Sequence, residues 1–323
     1  MKASDKILVV TDQSFGNVAH EQAAAEAVGA SFRHYQCKTE EETIAAISGA
    51  NVVLNNFAPM NKRVLQALPA GAVIIRYGVG VDNVDLEAAH ELNLTVCNVP
   101  DYGIEDVADH ACAFVLALAR KVLRFNGAVR DGVWGVANVT TNLPALRDCT
   151  IGTVGYGRIA RAFHRRMSGF TALALAYDPF VDVQVAKQAG VEIVSLDELV
   201  ARSHILSLHV PANEETRGLM NAKRLTSMPA GSLLINVSRG GLIDEVALAA
   251  ALESGHLAGA GLDVFEQEPP DLNTPLFNAP NLLTSPHAAF FSDASVKNLQ
   301  LLASQEALRA LRHEALRCPV VRI

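Results

Sequence analysis

Midway along the chain a short β-branched run, Thr150 to Val154, passes directly into Gly155-Tyr156-Gly157-Arg158-Ile159-Ala160 and then into the helix-forming stretch Arg161 to Met167. In a strand–turn–helix unit the first glycine permits the tight turn, and the second lets backbone approach a pyrophosphate. A small third residue lets the helix pack against the strand. Gly155, Gly157 and Ala160 stand in those three places, and the start of the helix offers unpaired N–H groups to phosphate. The next apolar run, Leu173 to Tyr177, ends at Asp178. A carboxylate about 20 residues beyond the turn can accept hydrogen bonds from ribose hydroxyls and repels a 2′-phosphate. The order predicts a dinucleotide-binding unit that takes NAD rather than NADP, with Gly155, Tyr156, Gly157, Arg158 and Ile159 at the phosphates and Asp178 at the ribose. The plainer alternative is an ordinary tight turn followed by a surface acid.

The rest of the chain extends this pattern in both directions. Up to about residue 98, the runs Ile7–Val10, Phe32–Cys37, Val52–Asn55, Val73–Tyr77 and Thr95–Asn98 alternate with helix-forming stretches. Regular alternation with short connections implies a parallel sheet covered by helices on both faces. The pattern breaks at Asn98-Val99-Pro100-Asp101-Tyr102-Gly103, where a hinge fits. Val107, Ala111, Val115, Leu118, Val122 and Phe125 then recur at helical spacing and predict one long helix. Its apolar surface wraps nearly all round from Ala111 to Ala119, as at a domain or subunit interface, and implies a homodimer. Further strand runs are expected at Val191–Val194, Ile205–Val210, Leu233–Val237, Gly261–Phe265 and Leu282–Thr284, and a helix from Ser292 to Arg317. The expectation is two doubly wound α/β domains, one of residues 1–100 with 292–323 and one of residues 101–291.

Composition removes other classes. The net charge of −7 provides no basic field for a phosphate backbone, so no nucleic-acid partner is expected. The longest apolar run, Ala111 to Ala119, is about half the length needed to cross a bilayer, and the N-terminus lacks the apolar segment of a secretory signal. These readings imply no membrane partner and a cytoplasmic location. Cys37, Cys97, Cys112, Cys149 and Cys318 are widely spaced, without a C-x-x-C pair, which fits neither a disulfide framework nor a zinc site. No metal is expected.

Hydride transfer needs a cation for the substrate carboxylate, a proton donor for the carbonyl oxygen, and a group that sets the donor's pKa. Three residues near predicted strand ends offer these. Arg239 lies in Asn236-Val237-Ser238-Arg239-Gly240-Gly241, Glu268 follows Asp263-Val264-Phe265-Glu266-Gln267, and His287 follows Leu283-Thr284-Ser285-Pro286. The carboxyl ends of strands border the ligand crevice in parallel sheets, so these side chains can converge. A glutamate paired with a histidine favours the imidazolium, which suits a proton donor near neutral pH. Each also has a plainer reading: a surface histidine, a solvated loop acid, a strand-capping arginine. His209, which also ends a run, is read as lining the cofactor cleft, and His110 as a packing residue in its helix.

The series Gly155-x-Gly157-x-x-Ala160, Asp178, Asn236-x-x-Arg239-Gly240, Asp263-Val264-x-x-x-Glu268-Pro269 and Pro286-His287 resembles the D-isomer-specific 2-hydroxyacid dehydrogenases over nearly the whole chain. Val96 to Pro100, Arg239 to Glu245 and Pro286 to Ser292 most resemble the C-terminal-binding protein branch, which has Trp where this chain has Phe290. The resemblance implies a flavodoxin-like substrate domain and a Rossmann NAD-binding domain. It implies that His287 is the general acid/base, that Glu268 orients it, and that Arg239 holds the carboxylate and carbonyl of a 2-keto acid. Asp263, Val237 and Ser238 match positions at the nicotinamide carboxamide, and Pro211 and Thr216 match the cleft edge. Backbone N–H groups of Val79 and Gly80 would hold the substrate carboxylate. Arg76 is either a second cation for it or a strand-end residue paired with a local acid, and Phe290 is placed at the substrate. Closure about the hinge near Pro100 is expected on binding. The implied activity is reduction of a small 2-keto acid such as glyoxylate or hydroxypyruvate. The alternatives are an NAD(H)-sensing interaction module with weak catalysis, or action on another substrate such as formate, against which the Glu268–His287 pair argues.

Overall fold

The computed structural model describes residues 6–140, 143–171 and 173–321. In chain order its strands are β1 (Ile7–Val10), β2 (Ser31–His34), β3 (Val52–Asn55), β4 (Val73–Arg76), β5 (Thr95–Cys97), β6 (Thr150–Val154) and β7 (Leu173–Tyr177). They continue as β8 (Val191–Ile193), β9 (Ile205–Leu208), β10 (Ser232–Asn236), β11 (Leu257–Leu262), β12 (Leu282–Thr284) and β13 (Pro319–Val321). The chain divides into two compact units, Met1–Gly103 with Ser292–Ile323, and Ile104–Phe291.

In the first unit the sheet runs β13-β5-β4-β3-β1-β2. β1 to β5 are parallel throughout, and only the edge strand β13 is antiparallel, on β5. Both faces are buried, as a parallel sheet requires. Leu8 and Val10 face a core shared with Leu299, Ala303 and Ala307 of the helix Asp293–Arg312, whereas Val9 faces Ile47, Val64 and Ala89 on the other side. That last helix is fixed at its start by a capping box of Ser292 and Ser295, and ends at His313 in the left-handed conformation.

The sheet of the second unit runs β12-β11-β10-β9-β6-β7-β8 and is parallel throughout. β6 lies between β7 and β9, so the chain reverses its direction of winding there, at the place where such sheets bind ligands. Two parallel-sheet α/β domains are thus established, in agreement with the sequence.

Three expectations need correction, and the first is the last helix, which stops at Arg312 rather than Arg317 because His313 turns left-handed. The strand expected at Gly261–Phe265 is β11, Leu257–Leu262, because Leu-Ala-Gly-Ala-Gly-Leu carries little β signal. Its glycines serve packing: a Cβ on Gly261 would lie 2.8 Å from the Phe114 ring, and one on Gly259 would lie 2.9 Å from Leu118. The long helix is two helices, Ile104–Ala119 and Val122–Arg130, separated by Lys121 in the left-handed conformation. The first packs on β10, β11 and the helix Arg158–Met167, and the second buries no residue in its unit. No helix among the described residues is long and apolar enough to cross a membrane.

Candidate active site

The glycine loop joins β6 to the helix Arg158–Met167. Gly155 has φ +89°, and a Cβ there would lie 2.6 Å from the His209 carbonyl oxygen, so only glycine fits between the ends of β6 and β9. Gly157 is different: a Cβ there would meet nothing within 4 Å, which leaves the backbone at the helix start open to a ligand. Ala160 is fully buried. Both Asp178 oxygens are anchored, Oδ2 by the Tyr156 N–H at 2.8 Å and Oδ1 by the Phe180 N–H at 2.9 Å. Each oxygen retains a lone pair that can accept from a hydroxyl. An approachable helix N-terminus beside an anchored carboxylate suits the pyrophosphate and ribose of a dinucleotide.

Other residues expected at the cofactor fall into different roles. The Tyr156 side chain is buried, with the Arg161 guanidinium 5.3 Å from its ring centroid, so the loop offers Tyr156 by its backbone. Arg158 is exposed and Ile159 half-buried. The His209 imidazole is turned inward, with Nε2 2.9 Å from the Ser207 hydroxyl and the ring against Phe163. Burial, with a smaller contribution from His164, pushes its pKa down to about 3. Pro211 and Thr216 share a loop in which the Thr216 hydroxyl donates to the Pro211 carbonyl at 2.7 Å. Val237 is buried at the end of β10, and the Ser238 hydroxyl donates to the Val210 carbonyl.

The structure brings Glu268 and His287 together: Glu268 Oε2 lies 2.7 Å from His287 Nδ1. Oε1 of the same carboxylate accepts from the Phe265 N–H at 3.1 Å. Burial alone raises the Glu268 pKa, but the bond and charge of His287, the Phe265 N–H and the Arg239 charge outweigh it and hold the carboxyl below its ordinary value. Arg239 comes close through its neighbour. A Cβ on Gly240 would lie 1.8 Å from the Phe265 carbonyl carbon, so the chain after Arg239 lies directly on the backbone leading to Glu268. Arg239 Nη1 donates to the Ser238 carbonyl at 2.7 Å, and Asn236 Nδ2 donates to the Arg239 carbonyl at 2.8 Å.

His287 has φ +53°, a conformation that a non-glycine residue holds only when its surroundings impose it. Asp263, almost wholly buried, imposes it. Its carbonyl accepts from the His287 N–H at 2.8 Å, and its carboxylate accepts from Ala288 N–H at 2.8 Å, Ala289 N–H at 2.9 Å and the Ser285 hydroxyl. The Phe290 ring lies edge-on to His287, centroids 6.4 Å apart.

The first unit has its own cluster at the carboxyl ends of its strands. The Arg76 guanidinium lies over the Phe57 ring, 5.7 Å from the centroid, and 1.8 Å from where a Cβ on Gly78 would be. The glycine therefore makes room for it. Neither the Val79 nor the Gly80 N–H donates a hydrogen bond among the described residues, so both can take an anion. Phe57 is held by Asp12, whose carboxylate accepts from the Phe57 N–H at 2.6 Å and the Asn56 N–H at 3.0 Å. Asn83 Nδ2 donates to Asn55 Oδ1 at 2.7 Å and closes the network. Sequence reasoning passed over Asp12, Asn56, Phe57 and Asn83. An aspartate just beyond the first strand of a parallel sheet was the available signal.

Two parallel sheets, a glycine loop at the point where one reverses, and a carboxylate after the following strand define a dinucleotide-binding α/β protein with an acid–imidazole pair on the same unit. Residues 112–289 match the family described as D-isomer specific 2-hydroxyacid dehydrogenase, NAD binding domain, and the chain belongs to that family. D-3-phosphoglycerate dehydrogenase of Mycobacterium tuberculosis strain H37Rv is 37% identical over 248 residues, 76% of this chain and 46% of that one. The chain spans about half the length of the curated relatives it matches. Among solved structures, a glyoxylate reductase from Paecilomyes thermophila is 27% identical with a TM-score of 0.86, over 98% of each chain. The D-lactate dehydrogenase of Aquifex aeolicus, solved with NAD and lactic acid, is 26% identical with a TM-score of 0.86, over 96% of each chain.

Proposed function

We propose that the protein is an NAD-dependent D-2-hydroxyacid dehydrogenase that reduces a small 2-keto acid such as glyoxylate or hydroxypyruvate. The observation that carries this reading is the 2.7 Å contact of His287 Nδ1 with Glu268 Oε2, beside the charge of Arg239. An ionised carboxylate only accepts, so Nδ1 carries a hydrogen and Nε2 is the nitrogen left to exchange a proton with substrate. Nicotinamide, when bound, supplies or receives the hydride at C2. In the reductive direction His287 Nε2 gives its proton to the carbonyl oxygen, Glu268 keeps the resulting imidazole in one orientation, and Arg239 stabilises charge growing on that oxygen. Arg76 and the N–H groups of Val79 and Gly80 are assigned to the substrate carboxylate, and Phe290 to the substrate side chain.

For the cofactor, the assignment is Gly155, Tyr156, Gly157, Arg158 and Ile159 at the phosphates and Asp178 at the ribose. His209, Pro211, Thr216, Val237, Ser238 and Asp263 form the nicotinamide side. The proposal includes a cytoplasmic homodimer formed through the helix Val122–Arg130 and the residues after it. There Val122, Leu123 and Val129 are more than half exposed, and Trp134 is 81% exposed. Apolar groups clustered in this way on one segment mark an association surface.

An NADH-oxidation screen over glyoxylate, hydroxypyruvate, pyruvate, phenylpyruvate and branched keto acids tests the activity. Turnover of at least one is expected, and loss of the NADH preference in Asp178→Ala is the companion result. No turnover of any, with NADH bound tightly, overturns the enzymatic reading in favour of a nucleotide-sensing module.

A further inference from the structure

The helix Ile104–Ala119 reaches the His287 turn through one side chain. His110 Nε2 lies 2.9 Å from the Ser285 hydroxyl and 3.9 Å from Asp263 Oδ1, and its ring stands edge-on to Phe114 with centroids 4.7 Å apart. The directions of these bonds follow from proton counting. Asp263, taken as ionised, can only accept, so the Ser285 hydroxyl spends its single hydrogen on Oδ1. His110 must then be the donor to Ser285, with its hydrogen on Nε2. The chain of donors runs from His110 through Ser285 to the carboxylate that carries the Ala288 and Ala289 N–H groups, on a turn whose first residue is His287.

We infer that His110 is a positioning residue for His287. By donating to Ser285 it orients that hydroxyl toward Asp263, and the satisfied carboxylate fixes the left-handed turn that delivers His287 Nδ1 to Glu268. His110 touches neither the imidazole nor Glu268, and it acts only through the turn. The charged groups on the neighbouring helix do not compete for its ring: Arg166 is paired with Glu105 and Asp109, and Arg165 with Glu105. Ser285 and Asp263 face it from the end of β11 and the segment after β12. Phe114 shares its helix and fills the space left by Gly261 of β11, which holds that helix at a fixed height on the sheet.

The inference rests on the proposed role of His287, and the test separates the two. The variants are His110→Leu, which removes the donor, His110→Gln, which restores an N–H near the position of Nε2, and Ser285→Ala. Each is checked by thermal unfolding and by NADH binding, then followed by NMR titration of the His287 imidazole in the full-length protein, a readout that needs no substrate. In His110→Leu and Ser285→Ala the His287 titration midpoint is expected to shift, and kcat on the best keto acid to fall about tenfold or more with NADH affinity kept. His110→Gln is expected to return both toward wild type. An unmoved His287 titration in folded His110→Leu and Ser285→Ala overturns the inference, as does a kcat loss that the glutamine leaves unrepaired. If the wild-type protein turns over no keto acid, the functional reading fails while the titration still decides whether His110 positions His287.

Discussion

Asp12 and Asp263 are the same device used in two units. Each follows a strand of its parallel sheet, each is buried, and each carboxylate collects two backbone N–H groups of another loop and one hydroxyl: Asn56, Phe57 and Thr11 for Asp12, which also accepts from the Asn55 side-chain amide, and Ala288, Ala289 and Ser285 for Asp263. They differ in what the anchored loop presents. Asp263 holds a turn that carries a titratable imidazole paired with a carboxylate, and Asp12 holds an exposed phenyl ring under a guanidinium. The buried carboxylate is a general way to fix a loop at a strand end, and the chemistry depends on the residue placed there. On the proposed reading the second unit moves a proton and the first holds an anion.

Removing the presented residue is the most severe test of that division. His287→Ala should lower kcat about 100- to 10,000-fold, the range for loss of a general acid, while NADH affinity stays within about twofold because the glycine loop is untouched. Stopped-flow reduction and NADH fluorescence titration measure the two separately. Retained turnover would take His287 out of the proton-transfer role and leave the two units without a chemical distinction.

Arg239→Ala comes next. Its loss should cost about 2–4 kcal/mol in kcat/KM, as for a lost donor to a developing oxyanion, whereas Arg76→Ala should act mainly on KM. Steady-state kinetics on one keto acid separate these patterns. Equal effects on kcat from both arginines would mean that the first unit contributes to the transition state as much as the second.

The anchors themselves give a finer comparison. Asp263→Asn and Asp12→Asn each replace an acceptor oxygen by a donor facing N–H groups, so each should destabilise its unit by about 1–3 kcal/mol in urea unfolding. The kinetics should diverge: Asp263→Asn is expected to lower kcat, through the His287 turn, and Asp12→Asn to raise KM. Matching kinetic losses would mean that the loop held by Asp12 does more than bind.

How far this arrangement was legible in the sequence follows from the range over which each signal acts. Gly155, Gly157, Ala160 and Asp178 lie within one strand–helix–strand unit, and the backbone need at each is local. Glu268 and His287 could be set side by side because a parallel sheet gathers strand ends, while their roles and that of Arg239 came from the family resemblance. β11 was misplaced because its signal is inverted. The alanines and glycines of Leu257–Leu262 are there for the helix that packs on them, and glycine lowers apparent strand propensity. The break at Lys121 was hidden because Val122 and Phe125 continue the helical spacing of Ile104–Ala119, although the second helix no longer covers the sheet. His110 was read as packing because its partner Ser285 lies 175 positions away, and no spacing rule joins a helix residue to a residue beyond a strand end.

Acid stability gives a further distinction between the units, spread over about two pH units. The polar network around Asp12 is made of aspartate, asparagine and threonine, whereas beneath the glycine loop lie two histidines, His164 against Thr153 and His209 against Ser207. Burial pushes His164 down from 6.5 to about 4. The unfolded chain therefore binds more protons than the folded one below about pH 6.5, so stability is fully present above that value and declines as pH falls toward 4. The contribution of His164 over the whole window is on the order of 3 kcal/mol. Hydrogen exchange of residues 150–157 should accelerate more between pH 6.5 and 4.5, after correction for intrinsic rates, than that of residues 52–58. In His164→Gln, neutral at every pH, the excess should disappear. An excess that survives the substitution would trace the acid sensitivity to carboxylates common to both units, and the histidines beneath the cofactor loop would then not distinguish them.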